Sequence, residues 1–138
     1  MRTTFLSLTA ALTLASFSAT ALAQTPAAIT TDSGLIYRSM KDGSGPSPST
    51  TDRVRVHYRG TFPDGREFDS SYKRGQPAEF PLDRVIRCWT EGVQRMKVGG
   101  KAQLICPPAI AYGERGAGPI PANATLHFEV ELLGIAGR

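Results

Sequence analysis

The stretch Val85-Ile86-Arg87-Cys88-Trp89-Thr90-Glu91-Gly92-Val93-Gln94-Arg95-Met96-Lys97-Val98-Gly99-Gly100-Lys101-Ala102-Gln103-Leu104-Ile105-Cys106 sets the terms for the rest of the chain. Trp89 is the only tryptophan in the sequence. Trp89, Val93 and Met96 recur at helical spacing and predict one apolar stripe on a short helix, with Glu91 and Arg95 four apart on the wetter face. Gly99-Gly100 stops that helix. Ala102, Leu104 and Cys106 then alternate with Lys101, Gln103 and Ile105, which predicts a strand ended by Pro107-Pro108. A short helix with one aromatic face cannot bury that face alone, so it needs a sheet to lie on.

Working outward, the flanking sequence supplies strands. Upstream, Val54, Val56 and Tyr58 face one way, while Arg53, Arg55, His57 and Arg59 face the other. Pro63-Asp64-Gly65 is turn chemistry, and Glu67 to Ser71 starts the return strand. Ser33 to Met40 is an earlier strand, separated by the turn-rich Lys41 to Asp52. Ala78-Glu79-Phe80 is a further short extended piece. Downstream, Tyr112 to Ala124 is a Gly/Pro loop. Leu126, Phe128, Val130 and Leu132 then share one face of a closing strand, with His127, Glu129 and Glu131 on the other. Antiparallel strands around one helix predict an α+β domain, a curved sheet wrapped on the helix.

The chain has 138 residues and a formal net charge of +4, room for one domain of ordinary soluble composition. Arg2, the apolar Phe5 to Leu22 and the small-x-small Ala21-Leu22-Ala23 read as a signal peptide over residues 1–23. The many Ser and Thr make this a poor permanent span. Residues 24–32 read as a flexible leader, and 33–138 as the folded domain. The expected product is periplasmic or secreted, with no membrane attachment after cleavage. The basic residues are scattered, apart from Arg53, Arg55 and Arg59. Export and the missing basic stripe both argue against a nucleic-acid partner.

The sequence offers two histidines, no metal-ligand spacing, no phosphate loop and no nucleophile elbow. It does gather aromatic and aliphatic residues about the helix: Tyr58, Phe68, Phe80, Val85, Ile86, Trp89, Tyr112, Ile120 and Phe128. These either form the core or line a pocket. Tyr112 and Ile120 sit on the Gly/Pro loop, where an apolar side chain more often borders a rim.

Several motifs in fixed order resemble one family. Val56-His57-Tyr58-Arg59-Gly60-Thr61 is similar to its Val-His-Tyr-x-Gly strand, and Phe68-Asp69-Ser70-Ser71 to its Phe-Asp-Ser-Ser. Val85-Ile86, Trp89 and Glu91-Gly92 match its Val-Ile-x-Gly-Trp-x-Glu-Gly. Ala111-Tyr112-Gly113, Ile120-Pro121 and the run from Ala124 to Leu132 follow in order. The family is the FKBP type of peptidyl-prolyl cis-trans isomerase, and the resemblance covers essentially all of Ser33 to Ile135. It implies a five- or six-stranded antiparallel sheet wrapped on one short helix.

It also implies rotation about X-Pro bonds, with no cofactor and no metal. The barrier is roughly 18–20 kcal/mol because amide resonance is lost. No covalent bond is broken, so no nucleophile is required. A prolyl ring would sit on Trp89, walled by Tyr58, Phe68, Phe80, Val85, Ile86, Ile120 and Phe128. Tyr112 and the Ile86 N–H would donate to substrate carbonyls. Asp69 would lie at the pocket edge, oriented by Tyr58 and Arg74; the alternative is a turn aspartate capping local backbone. The implied partners are proline-containing unfolded or partly folded polypeptides, and tacrolimus-type macrolides.

Two departures from the family pattern stand out. Ala78 replaces an aromatic found in many relatives and, with Ala117 and Gly118, predicts a broad, shallow rim tolerant of many residues before proline. Cys88 replaces a glycine beside Trp89, and Cys106 ends the strand beneath the helix. They are either two buried thiols or a disulfide, and an exported chain favours the bridge. The short leader points to a monomeric enzyme. Its rivals are a proline-binding module or holdase, and a redox protein built on the cysteine pair.

Overall fold

The computed structural model describes residues 27–137 and the isolated positions 11, 15 and 16. The expected signal peptide, residues 1–23, otherwise lies outside the described residues. Seven strands form one antiparallel sheet: β1 (Ile29–Thr30), β2 (Ile36–Lys41), β3 (Arg53–Thr61), β4 (Glu67–Ser70), β5 (Ala78–Pro81), β6 (Lys101–Cys106) and β7 (Leu126–Ile135). Their order is β1-β2-β6-β7-β3-β4, with β5 also on β3. A short helix α1 (Ser71–Arg74) follows β4, and α2 (Arg87–Gln94) precedes β6. No helix among the described residues is long and apolar enough to cross a membrane.

The alternation read from β3 holds in space. Val54, Val56 and Tyr58 are buried, while Arg53, Arg55 and Arg59 are exposed. Two of the three arginines are neutralised locally, Arg53 by Glu79 at 3.2 Å and Arg59 by Glu67 at 2.6 Å. β7, central between β6 and β3, buries Leu126, Phe128, Val130 and Leu132 against the helix. On α2, Cys88, Trp89, Gly92 and Val93 face the sheet. Gly92 lets α2 sit close on β6, because a Cβ would stand 2.7 Å from Leu104 Cδ2 and the leucine would have to shift.

Cys88 and Cys106 are joined in a disulfide with Cα atoms 5.7 Å apart, and both residues are fully buried. The bridge ties the first turn of α2 to the end of β6. With both sulfurs enclosed, the pair is structural, and no free cysteine remains among the described residues.

The structure differs from the sequence reading at several places. α2 ends at Gln94 with Arg95 as its C-cap, so Gly99-Gly100 does not stop it, and Met96 is buried one residue beyond the cap and not on the helix. Ile29–Thr30, read as leader, pairs with Tyr37 and Ile36 as an edge strand, which takes the sheet to seven strands. Two residues are too few to carry a period. Glu91 bonds the Ser33 hydroxyl and forms no ion pair with Arg95 among the described residues. Desolvation pushes the Glu91 carboxyl up, but hydrogen bonds from Ser33 and Thr31 outweigh it and hold it below the usual range. Residues 71–74, read as strand end and loop, form α1. The Ser70 hydroxyl caps its start by accepting the Lys73 N–H, and Gly75, at φ 72°, ends it in the left-handed region.

Candidate active site

Between α2, β3, β4, β5 and the loop after β6 lies a cleft of about 500 Å³. Trp89 is its floor, 4% exposed, and three rings stand nearly perpendicular to or steeply against the indole. Tyr58 is at 5.1 Å between centroids, Phe128 at 5.4 Å and Phe80 at 5.6 Å. Phe68 meets Phe128 edge-on at 5.6 Å. Edge-to-face pairs of this kind are worth about 0.5–1.5 kcal/mol each beyond area burial, so the box is rigid. The indole Nε1 is buried without a hydrogen-bond partner among the described residues.

Local chain chemistry puts each wall in place. Tyr58 reaches inward because it falls on the buried phase of β3. Gly60, two residues on, leaves room for the rings, since a Cβ there would lie 2.6 Å from Phe68 Cζ and 2.9 Å from Phe128 Cε1. β4 is bulged: Gly60 pairs with Asp69 but Thr61 with Glu67, leaving Phe68 as the extra residue. That insertion lets the adjacent Phe68 and Asp69 both line the cleft, which strict alternation forbids. Val85 and Ile86 follow a 3₁₀ turn at Leu82–Arg84, and the Ile86 carbonyl accepts the Trp89 and Thr90 N–H groups that open α2.

One edge of the cleft is a closed polar cluster. The Tyr58 hydroxyl donates to Asp69 Oδ2. Arg74 donates from Nη1 to Asp69 Oδ1 at 2.6 Å and from Nη2 to the Tyr58 oxygen at 3.0 Å. Desolvation pushes the Asp69 carboxyl up, but the bonds from Tyr58 and Arg74 outweigh it and hold it below the ordinary carboxylate range. Burial, then the bond to Asp69, pushes the Tyr58 hydroxyl up against the opposing pull of Arg74. Asp69 is therefore a carboxylate clamped between two side-chain donors, Tyr58 and Arg74, with a further bond from the Ser70 backbone. On the opposite edge Tyr112 is 39% exposed, and its hydroxyl has no hydrogen-bond partner among the described residues.

Of the residues expected from sequence, Tyr58, Phe68, Asp69, Phe80, Val85, Ile86, Trp89, Tyr112 and Phe128 line the cleft together. Arg74 stands behind Asp69, outside the lining. Ile120 is not on the wall. It is 7% exposed and packed in the core cluster, where its N–H and carbonyl pair with Ala117 to fold the loop back on itself. Three contributors went unread. Arg84 lines the cleft. Gly60 admits the rings. Ser71, fully buried, accepts the Tyr58 N–H on Oγ at 2.8 Å and meets His57 Nδ1 at 2.9 Å, fixing the strand behind Tyr58. The second serine of Phe68-Asp69-Ser70-Ser71, two residues past the motif aspartate, was the available signal for the last of these.

The model of the FKBP-type peptidyl-prolyl cis-trans isomerase family matches residues 45–133. The chain is 59% identical over 105 residues to the FKBP-type peptidyl-prolyl cis-trans isomerase FkpA of Aeromonas hydrophila, covering 76% of this chain and 39% of that protein. The crystal structure of FkpA from Escherichia coli superposes with a TM-score of 0.77 at 49% identity, over 78% of this chain and 51% of that one. A peptidyl-prolyl cis-trans isomerase from Pseudomonas syringae gives 0.74 at 40% identity, over 80% and 81%. The chain spans less than half the length of the first curated relatives it matches, 39% to 44%. With the motifs in order and the aromatic box assembled around Trp89, the chain belongs to the FKBP-type peptidyl-prolyl cis-trans isomerase family.

Proposed function

We propose that the protein accelerates cis-trans rotation about X-Pro bonds in polypeptides folding after export, in the periplasm or outside the cell. The observation that carries the reading is the Trp89 floor boxed by perpendicular rings beside an unpartnered Tyr112 hydroxyl. A prolyl ring seated on Trp89 exchanges water for aromatic faces. The planar amide is more polar than the twisted one, so a dry cleft disfavours the ground state relative to the transition state, which is differential binding. Tyr112 and the Ile86 N–H hold the flanking carbonyls while the amide between them turns. Asp69, pinned by Tyr58 and Arg74, keeps one wall at a fixed distance and offers a charge at the edge. Nothing in this sequence of events requires a cofactor. Tacrolimus-type macrolides are a second class of occupant for the same cleft, and the working unit is a monomer.

The test is the cis-to-trans rate of a short X-Pro peptide with native protein and with a Tyr112→Phe, Asp69→Ala double variant. Two hydrogen-bonding groups at about 0.5–1.5 kcal/mol each predict a loss of about fivefold to about a hundredfold. No acceleration by the native protein, with Trp89 fluorescence still responding to proline peptide, would make this a proline-binding module.

A further inference from the structure

The cleft lining contains two charged side chains, Asp69 and Arg84, and they are in opposite situations. Asp69 is already neutralised by Arg74 and bonded by Tyr58. Arg84 has neither ion pair nor hydrogen bond among the described residues, and its side chain is exposed. The adjacent carboxylate, Asp83, does not answer it. Asp83 lines the neighbouring cleft with Arg87, Thr90 and Glu91, on the other side of Val85. Arg84 is also the last residue of the 3₁₀ turn, so its backbone is fixed directly beside the Val85-Ile86 wall.

We infer that Arg84 is a specificity residue that favours X-Pro segments carrying a carboxylate within about two residues of the proline. This rests on the isomerase reading above. Two residues of extended chain span roughly 7 Å, which is the distance over which a group on a cleft wall meets the neighbours of a ring seated on the floor. The cation faces apolar rings on one side and water on the other. A carboxylate arriving there finds an unneutralised partner, and an ammonium finds repulsion. Exposed pairs of this kind are worth a factor of about two to five. The attraction acts on the ground and transition states alike, so it enters through KM and leaves kcat in place. A preference of this size coexists with a cleft that tolerates many side chains before proline.

The experiment compares kcat/KM for peptides with Glu, Gln or Lys placed in turn at the two positions on either side of proline. It uses the native protein, Arg84→Gln and Arg84→Glu, at about 20 mM and at about 1 M salt. The expected result is a Glu-to-Gln advantage of about twofold to fivefold at one or more positions, with Lys below Gln. The advantage should fall to near one at high salt, where the screening length is about 3 Å. It should vanish in Arg84→Gln and reverse toward Lys in Arg84→Glu. The ratio is the readout, so a general loss of activity in a variant does not imitate it. If the Gln peptides are accelerated but the three charges are equivalent at low salt, the inference is overturned while the isomerase reading stands. An advantage that survives in Arg84→Gln also overturns it. Failure to accelerate any peptide overturns the isomerase reading itself.

Discussion

The floor of the cleft and its rim sit within one side-chain length of each other and are held by different means. Trp89, Tyr58 and Phe128 hang from α2, β3 and β7 and are 4%, 5% and 5% exposed. Tyr58 and Phe128 both pack edge-on against Trp89, so moving the indole disturbs the core. Asp69, Arg84 and Tyr112 stand on a bulge, the end of a 3₁₀ turn and a Gly/Pro loop, and each keeps a face in water. Changes at the floor therefore alter fold and function together. Changes at the rim reach function with little effect on the fold, and the contrast can be measured.

The largest effect belongs to Trp89→Ala. Removing a buried tryptophan from a closed aromatic box costs about 3–5 kcal/mol. The variant should unfold at a much lower urea midpoint by circular dichroism and lose isomerase activity by more than tenfold where still folded. A stable variant with an intact rate would mean that the rim alone does the work.

Next is the disulfide beneath the floor. Replacing both Cys88 and Cys106 by Ala opens a loop with a sequence separation of 18 and should cost about 3 kcal/mol in the chain-entropy picture. Both positions lie outside the cleft lining, so the X-Pro rate at 25 °C should stay within about twofold. Guanidinium denaturation alongside the rate separates the two readouts. A rate that falls with stability would show that the bridge positions Trp89 as well as tying α2 to β6.

How much of this was legible follows the same division. Val54, Val56 and Tyr58 announced the inner face of β3 because strand geometry has a fixed period of two, and Leu126 to Leu132 did so for β7. Trp89 and Val93 read correctly by the helical period. Where the arrangement depends on a partner distant in sequence, the signal fades. Nothing in Phe68-Asp69 says that β4 carries an extra residue there, since the register is set by Gly60 and Thr61 across the pair. Ile29–Thr30 is a strand only because β2 offers an edge. Ile120 looked like a rim residue because it sits on a Gly/Pro loop, yet that loop folds inward and buries it. Arg84 was silent because an exposed arginine beside an aspartate is ordinary until the two are seen to face different clefts.

Gly60→Ala tests the joint between the regions. The added methyl would meet Phe68 and Phe128 at under 3 Å, so one wall must shift. Overpacking of this kind costs about 1–3 kcal/mol. The expected outcome is a KM raised severalfold, because the wall proposed to receive the prolyl ring is displaced. An unchanged KM with reduced stability would show that the rings relax away from the cleft.

The smallest effect is the pH dependence of the polar edge, and its sign follows from the direction of the Asp69 shift. The folded-state carboxyl titrates below its unfolded value of about 3.9, held there by Tyr58 and Arg74 against desolvation. Its contribution is therefore fully present above that value and is lost as pH falls through the lower folded value. With side chains 40% and 47% exposed, the Asp69–Arg74 pair is screened by solvent, and the contribution should stay below about 1 kcal/mol. Urea midpoints of the native protein and Asp69→Asn at pH 7, 4 and 3 measure it. Asp64, Glu67 and Glu91 titrate in both proteins and cancel in the difference. The gap between the two should narrow as the pH drops. A gap that stays constant to pH 3 would mean that Asp69 stabilises the fold by its hydrogen-bonded shape alone, and that its charge serves only the cleft.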